Sequence, residues 1–112
     1  MIEAESAMST FQQHLQHIDA HYDYTPTHFR NGCGADALDN AAGVNEGSCK
    51  IFAYARLQGL DEAATLALFG EHYAQVCAHP DGSDHANIRR FMRDGWAGIA
   101  FSAAALQRRA QP

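Results

Sequence analysis

Two short polar blocks hold most of the residues in this chain that could do chemistry. The first is Asn45, Glu46, Ser48, Cys49 and Lys50, and the second is Asp84, His85, Asn87 and Arg89. Both fall at predicted helix starts, where the first backbone N–H groups lack partners and the positive end of the dipole favours an anion. Brought together, Asn45, Ser48, Lys50, His85, Asn87 and Arg89 would offer donors to a small polar or anionic ligand, with Glu46 and Asp84 as acid–base groups. Cys49, in the first turns of its helix and next to Lys50, could have a lowered thiol pKa and act as a nucleophile activated by His85. A weaker alternative joins Glu46, His79, Asp84 and His85 as a mixed carboxylate and imidazole set for a divalent metal. His17 and His21 stand at i and i+4, a metal-compatible spacing, but no carboxylate or cysteine completes the set.

The same residues also have a purely structural account. Asn45 and either Ser83 or Asp84 suit helix N-caps, Glu46 precedes Lys50 in the better orientation for an i,i+4 ion pair, Cys49 suits a core, and Arg89 suits a solvated or carboxylate-paired position. Nothing in residue type or spacing names a reaction. The catalytic residues are therefore left unassigned, and no metal or cofactor is expected. Three readings stand: a binding pocket, a small Cys/His/carboxylate enzyme, and a protein-interaction module.

The elements that must position these blocks follow from periodicity. Met8, Phe11, Leu15, Ile18 and Tyr22 recur at three and four, which predicts a first helix over residues 6–21. Pro26 and its neighbours favour extended backbone and a short edge strand at 28–30. Residues 32–43, with three glycines, Asp36, Asp39 and Asn40, read as a long loop, with Cys33 exposed in it. The segment from Ser48 to Leu57 is apolar nearly all round, the mark of a helix buried on all sides. It is predicted over 46–58, covered at its start by Val44 as a hydrophobic staple and stopped by Gly59.

Asp61 caps a third helix with the stripe Leu66, Phe69, Tyr73 and Val76, ending near Ala78. A proline–glycine turn at 79–84 leads to a fourth helix, with Ile88, Phe91 and Met92 inward, Arg89, Arg90 and Arg93 outward, and Gly95 as its stop. Residues 96–101 return as a strand beside 28–30, and Ser102 caps a last helix reaching Arg109. The predicted fold is α+β and mainly helical: four or five helices around the central helix, with a small two-stranded antiparallel pairing.

Composition bounds the function classes. The 112 residues carry a formal net charge of −5, which opposes nucleic-acid binding apart from the local Arg89, Arg90 and Arg93 cluster. Hydrophobic residues are 46% and charged residues 19%, with no apolar run long enough to span a membrane. The acidic beginning lacks the features of a secretory signal, and three unpaired-looking cysteines suit a reducing compartment, so cytoplasmic synthesis is expected. Oligomeric state is not legible.

Several blocks, in order, resemble the HopJ family of type III effector proteins. They are Thr25-Pro26-Thr27, Phe29 with Asn31-Gly32, Asn40 with Ala42-Gly43, Asn45 to Phe52, His79-Pro80 with Gly82, Asp84-His85, Asn87-Ile88-Arg89, Phe91-Met92, and Gly95-Trp96 with Gly98-Ile99 and Phe101. The resemblance runs from Tyr24 to Leu106 and departs at His72 and Ala74, where tyrosine and arginine are expected. It implies one small bacterial domain over residues 1–112, delivery into a host cell by a type III system, and a host or bacterial protein as partner. It brings no catalytic residues with it.

Overall fold

The computed structural model describes residues 10–109. Among these residues, five α-helices and five short strands follow in the order α1 (Phe11–His21), β1 (Tyr22–Tyr24), β2 (Phe29–Asn31), β3 (Leu38–Asn40), α2 (Glu46–Gln58), α3 (Glu62–Ala67), α4 (Glu71–Ala78), α5 (Ala86–Asp94), β4 (Ile99–Phe101) and β5 (Leu106–Arg108). A 3-10 turn at Gly95–Gly98 joins α5 to β4. The α+β, mainly helical class expected from the sequence is the observed one.

The centre is α2, with the boundaries its periodicity predicts. Ile51, Phe52 and Ala55 are wholly buried, and Cys49 nearly so. The Phe52 ring meets Phe29, Phe69, Phe91 and Trp96 at centroid distances of 5.9, 5.4, 4.9 and 6.4 Å, so one side chain ties the sheet to three other parts of the chain. Such aromatic contacts add to the area they bury.

Two small antiparallel sheets flank this core. In the larger, β2 lies between β3 and β4, so it is a central strand and not the expected edge strand. Its register pairs Phe29 with Asn40 and Phe101, and Asn31 with Leu38 and Ile99. The pairing with residues 99–101 follows the sequence reading. The third strand, β3, replaces part of the long loop predicted at 32–43. At the start of β4 the backbones of Gly98 and Gly32 nearly touch: a Cβ on Gly98 would lie 2.7 Å from the Gly32 nitrogen. The close approach lets Gly32 N–H donate to the Gly98 carbonyl at 3.0 Å.

The second sheet pairs β1 with β5, Tyr22 opposite Arg108 and Tyr24 opposite Leu106. Residues 106–108 are therefore a strand and not the helix expected to follow Ser102. Their partner strand supplies hydrogen bonds that outweigh the helix preference of Leu, Gln and Arg.

Other local expectations are corrected. The first helix starts after Thr10, whose hydroxyl accepts from Gln13 N–H while the Gln13 side chain accepts from Thr10 N–H, closing a capping box. Thr10 is extended, so the helix does not run back through it; Met8 lies outside the described residues. Asp61 caps α3 as expected, accepting from Ala64 N–H at 2.8 Å. The single helix predicted to Ala78 is broken into α3 and α4 at Gly70, whose φ of 56° and ψ of −124° no helical residue adopts. Met92 is 46% exposed, whereas Ile88 and Phe91 are buried as expected.

Arg90 is likewise not simply solvated. Its guanidinium donates to Asp94 at 2.9 Å and to Asp36 at 2.7 Å, and Asp94 also accepts from Cys33 N–H at 2.8 Å. This clamp fastens the 32–37 loop to α5. The backbone N–H of Cys33, followed by the Arg90 guanidinium, holds the Asp94 carboxyl below its ordinary range, and Arg90 does the same for Asp36. Carboxyls depressed in the folded state stabilise it above the unfolded pKa of about 3.9, and that contribution disappears as pH falls through the folded values. Denaturant unfolding followed from about pH 6 to about pH 2 should show stability falling at the acid end, and Asp94→Asn should flatten that fall. An unchanged acid slope in the variant would remove Asp94 from the account.

Candidate functional site

The starts of α2 and α5 face one another across a cavity of about 260 Å³. Asn45, Gly47 and Ser48 line it from α2, His85, Ala86, Asn87 and Ile88 from α5, and Phe11, Phe69 and His72 close the remaining side. Asn45 and His85 occupy the N-cap positions of the two helices, and neither side chain caps its helix. Both are left-handed, with φ of 55° and 51°, and they are the only non-glycine residues with positive φ among the described residues. Such conformations are disfavoured for residues with a Cβ and persist where the surroundings enforce them.

The surroundings here are polar side chains. Asn45 Nδ2 donates to Asn40 Oδ1 at 2.7 Å, and His85 Nε2 is 2.9 Å from Gln75 Oε1. Asn40 belongs to a buried amide cluster. Asn87 Oδ1 accepts from Asn31 Nδ2 at 3.0 Å and Asn40 Nδ2 at 3.1 Å, and Asn87 Nδ2 donates to Asn40 Oδ1 at 3.0 Å. Asn31 Nδ2 also reaches the Asn87 carbonyl at 2.9 Å. The cluster therefore fixes β2, β3, the turn before α2 and the start of α5 to one another.

The first recorded backbone bonds of the two helices run from Cys49 N–H to Asn45 and from Arg89 N–H to His85. Ahead of them, the N–H groups of residues 46–48 and 86–88 have no partner among the described residues. Two imidazoles stand beside them: the His72 and His85 rings are 4.9 Å apart, and Phe11 meets His72 edge-on at 4.7 Å. His72 Nδ1 is buried with no hydrogen-bond partner among the described residues. The described residues lining the cavity include no carboxylate. The arrangement suits negative charge, with an apolar wall at Phe11 and Phe69.

Of the nine residues expected at a site, Asn45, Ser48, His85 and Asn87 line this cavity. The others do not. Glu46 is exposed and makes no ion pair with Lys50, whose ammonium instead pairs with Asp19 at 2.9 Å and lies 4.8 Å over the Tyr24 ring. Helical geometry separates them: residues 45 and 48 share one face of the turn, while 46, 49 and 50 point toward α1 and Tyr24. Val44 is 51% exposed and does not act as a staple.

Cys49 is buried, its thiol directed at the Thr27 carbonyl at 3.6 Å, and burial pushes its pKa up. That is the opposite of the activated thiol envisaged beside His85. The Tyr24 hydroxyl, in the same cluster, is also raised, first by burial and then by Cys49 and Glu46.

Asp84 and Arg89 serve the turn before α5. Arg89 donates to the Asp84 carboxylate at 2.7 Å, to the Asp84 carbonyl at 2.6 Å and to the His79 carbonyl at 2.9 Å. Neither Asp84 nor Ser83 caps the helix, because His85 holds that position. Glu46, His79, Asp84 and His85 are not gathered as metal ligands: no three His, Cys, Asp or Glu side chains cluster suitably among the described residues. His17 and His21 pack ring to ring at 4.6 Å without a third ligand.

Residues missed from the sequence are Phe11, Phe69, His72 and the supporting Asn31, Asn40 and Gln75. One signal pointed to His72, the position where the chain departs from the tyrosine that its resemblance leads one to expect. The structure places it in the cavity wall, beside Phe69.

A family model described as HopJ type III effector protein matches residues 1–106. The chain is similar to the crystal structure of VPA0580, a protein of unknown function, at 44% sequence identity and a TM-score of 0.85, covering 96% of this chain and 88% of that one. No curated protein matches.

Proposed function

Since the chain belongs to the HopJ type III effector family, whose description names a delivery route and no reaction, we propose that it acts by binding, and that its ligand is a small anion held where α2 and α5 begin. The observation that carries this is the pairing of two uncapped helix starts, each behind a left-handed N-cap residue, around one cavity with two imidazoles. A free helix start favours negative charge, and two that open on the same volume reinforce one another. Asn45, Ser48 and Asn87 orient the anion, His72 and His85 supply ring nitrogens, and Phe11 and Phe69 receive an apolar portion. Delivery into a host cell is the setting the family suggests, with a host protein as a further target.

No helix among the described residues is long and apolar enough to cross a membrane. The proposal is tested by thermal unfolding of the purified protein with inorganic phosphate, sulfate, benzoate and divalent metals. A ligand at a hundred times its dissociation constant stabilises the native state by about 2.7 kcal/mol. Phosphate or benzoate is expected to raise the melting temperature, and Ser48→Glu, which puts a carboxylate into the cavity, to abolish the rise. Failure of every anion to stabilise, or an undiminished shift in Ser48→Glu, would overturn the reading.

A further inference from the structure

His28, Asp39 and Ser102 are far apart in sequence and meet on the exposed face of the three-stranded sheet. His28 precedes β2, Asp39 lies on β3 and Ser102 follows β4. His28 Nδ1 is 2.6 Å from Ser102 Oγ, and His28 Nε2 is 2.5 Å from Asp39 Oδ1. The backbone repeats the link, since Ser102 N–H donates to the His28 carbonyl at 3.0 Å. An ionised carboxylate has only acceptors, so the bond to Asp39 requires the ring proton on Nε2. In the neutral ring Nδ1 is then a bare lone pair, and Ser102 donates its hydroxyl proton to it. This is the relation of nucleophile, base and orienting acid that defines a serine catalytic triad, recognised by roles and geometry and not by chain order.

We propose that Ser102, His28 and Asp39 form a nucleophilic serine centre that accepts acyl groups from small activated esters, a chemistry separate from the anion cavity. The His28 side chain is 37% exposed and that of Asp39 67%, so an ester reaches the centre directly from solvent. The N–H of Ala103 has no partner among the described residues. The residue after the nucleophile is where α/β-hydrolases also place an oxyanion donor.

In the first step Ser102 Oγ bonds to the acyl carbon and its proton passes to His28 Nδ1. The bond from that carbon to the leaving oxygen then breaks, and the same proton goes to the departing alcohol. Water reverses the sequence: it gives a proton to Nδ1, its oxygen bonds to the acyl carbon, and the Ser102 ester breaks as the proton returns to Oγ. Ester and water become acid and alcohol, with nothing oxidised or reduced. Ser102 and His28 are catalytic residues, and Asp39 is a positioning residue.

The test is incubation with p-nitrophenyl acetate, with nitrophenolate release followed by absorbance and the acetylated residue located by peptide mass spectrometry. Acetyl is expected on Ser102. Ser102→Ala removes only an exposed hydroxyl, and its release rate should fall about a hundredfold or more, as should that of His28→Asn, the usual scale for loss of a general base. Circular dichroism confirms that both variants are folded. Asp39→Asn should lower kcat while leaving KM and the melting temperature unchanged, a split that loss of a merely structural Asp39 would not give. Acetylation confined to lysines or cysteines, or a release rate unchanged in Ser102→Ala, would overturn the proposal.

Discussion

Phe52→Ala should lower the unfolding free energy by about 3–5 kcal/mol, the usual range for removing a large aromatic from a core. The side chain is wholly buried on the central helix, and four other aromatic rings rest against it. Truncation removes the transfer free energy of the ring and leaves a void whose walls belong to β2, the α3–α4 junction, α5 and the 3-10 turn. These walls cannot all collapse inward together, which places the loss toward the upper part of the range. A single domain is stable by roughly 5–15 kcal/mol, so the loss is a large fraction of the total. Urea denaturation measures the change directly. A loss near 1 kcal/mol would mean that the core is not organised on this residue.

Asn87→Ala should be nearly as damaging, although it deletes only a small polar group. The Asn87 amide bonds Asn31 Nδ2 and both ends of the Asn40 amide, all buried, and an orphaned buried polar group typically loses about 1–3 kcal/mol. Asn31 keeps its bond to the Asn87 carbonyl, so the expected total is about 2–4 kcal/mol. A double-mutant cycle with Asn40→Ala separates the cluster from general packing, because residues sharing a network couple by about 0.5–3 kcal/mol. Additive effects would show that Asn40 and Asn87 are independent. The same substitution should loosen Asn45, which hangs on Asn40, and so weaken any anion bound in the cavity.

How legible these features are in the sequence depends on the distance over which each is determined. Helix α2 is set by its own apolar sequence and the glycine after it, and its predicted boundaries match. Asp61 is a local cap and is also found. What fails is set from elsewhere. Leu38-Asp39-Asn40 is a poor strand by composition and becomes one because β2 lies beside it, and Leu106-Gln107-Arg108 prefers helix until β1 pairs with it.

The cavity was half legible for the same reason. Residue type marks Asn45 and His85 as residues near helix starts, but their left-handed conformations, which prevent side-chain capping, depend on Asn40 and Gln75. Glu46 and Lys50 have the right spacing for a pair, yet Asp19 on α1 is better placed for the lysine. The Asn31, Asn40 and Asn87 cluster joins residues 47 and 56 positions apart, and no local pattern announces it.

The β1–β5 pairing also bears on how the chain folds in time. Arg109 donates to Asp23, 86 positions earlier, to the carbonyls of Asp19 and Ala20 at the end of α1, and to that of Tyr22 at the start of β1. Closing so long a loop is paid in chain entropy before the contacts return anything, and topologies rich in such contacts fold slowly for their size. A mainly helical protein would ordinarily be a fast folder. Here β5 must find β1, so the helices can form early while Ala105 and Leu106 still lack cover, and completion waits on that one long-range pairing.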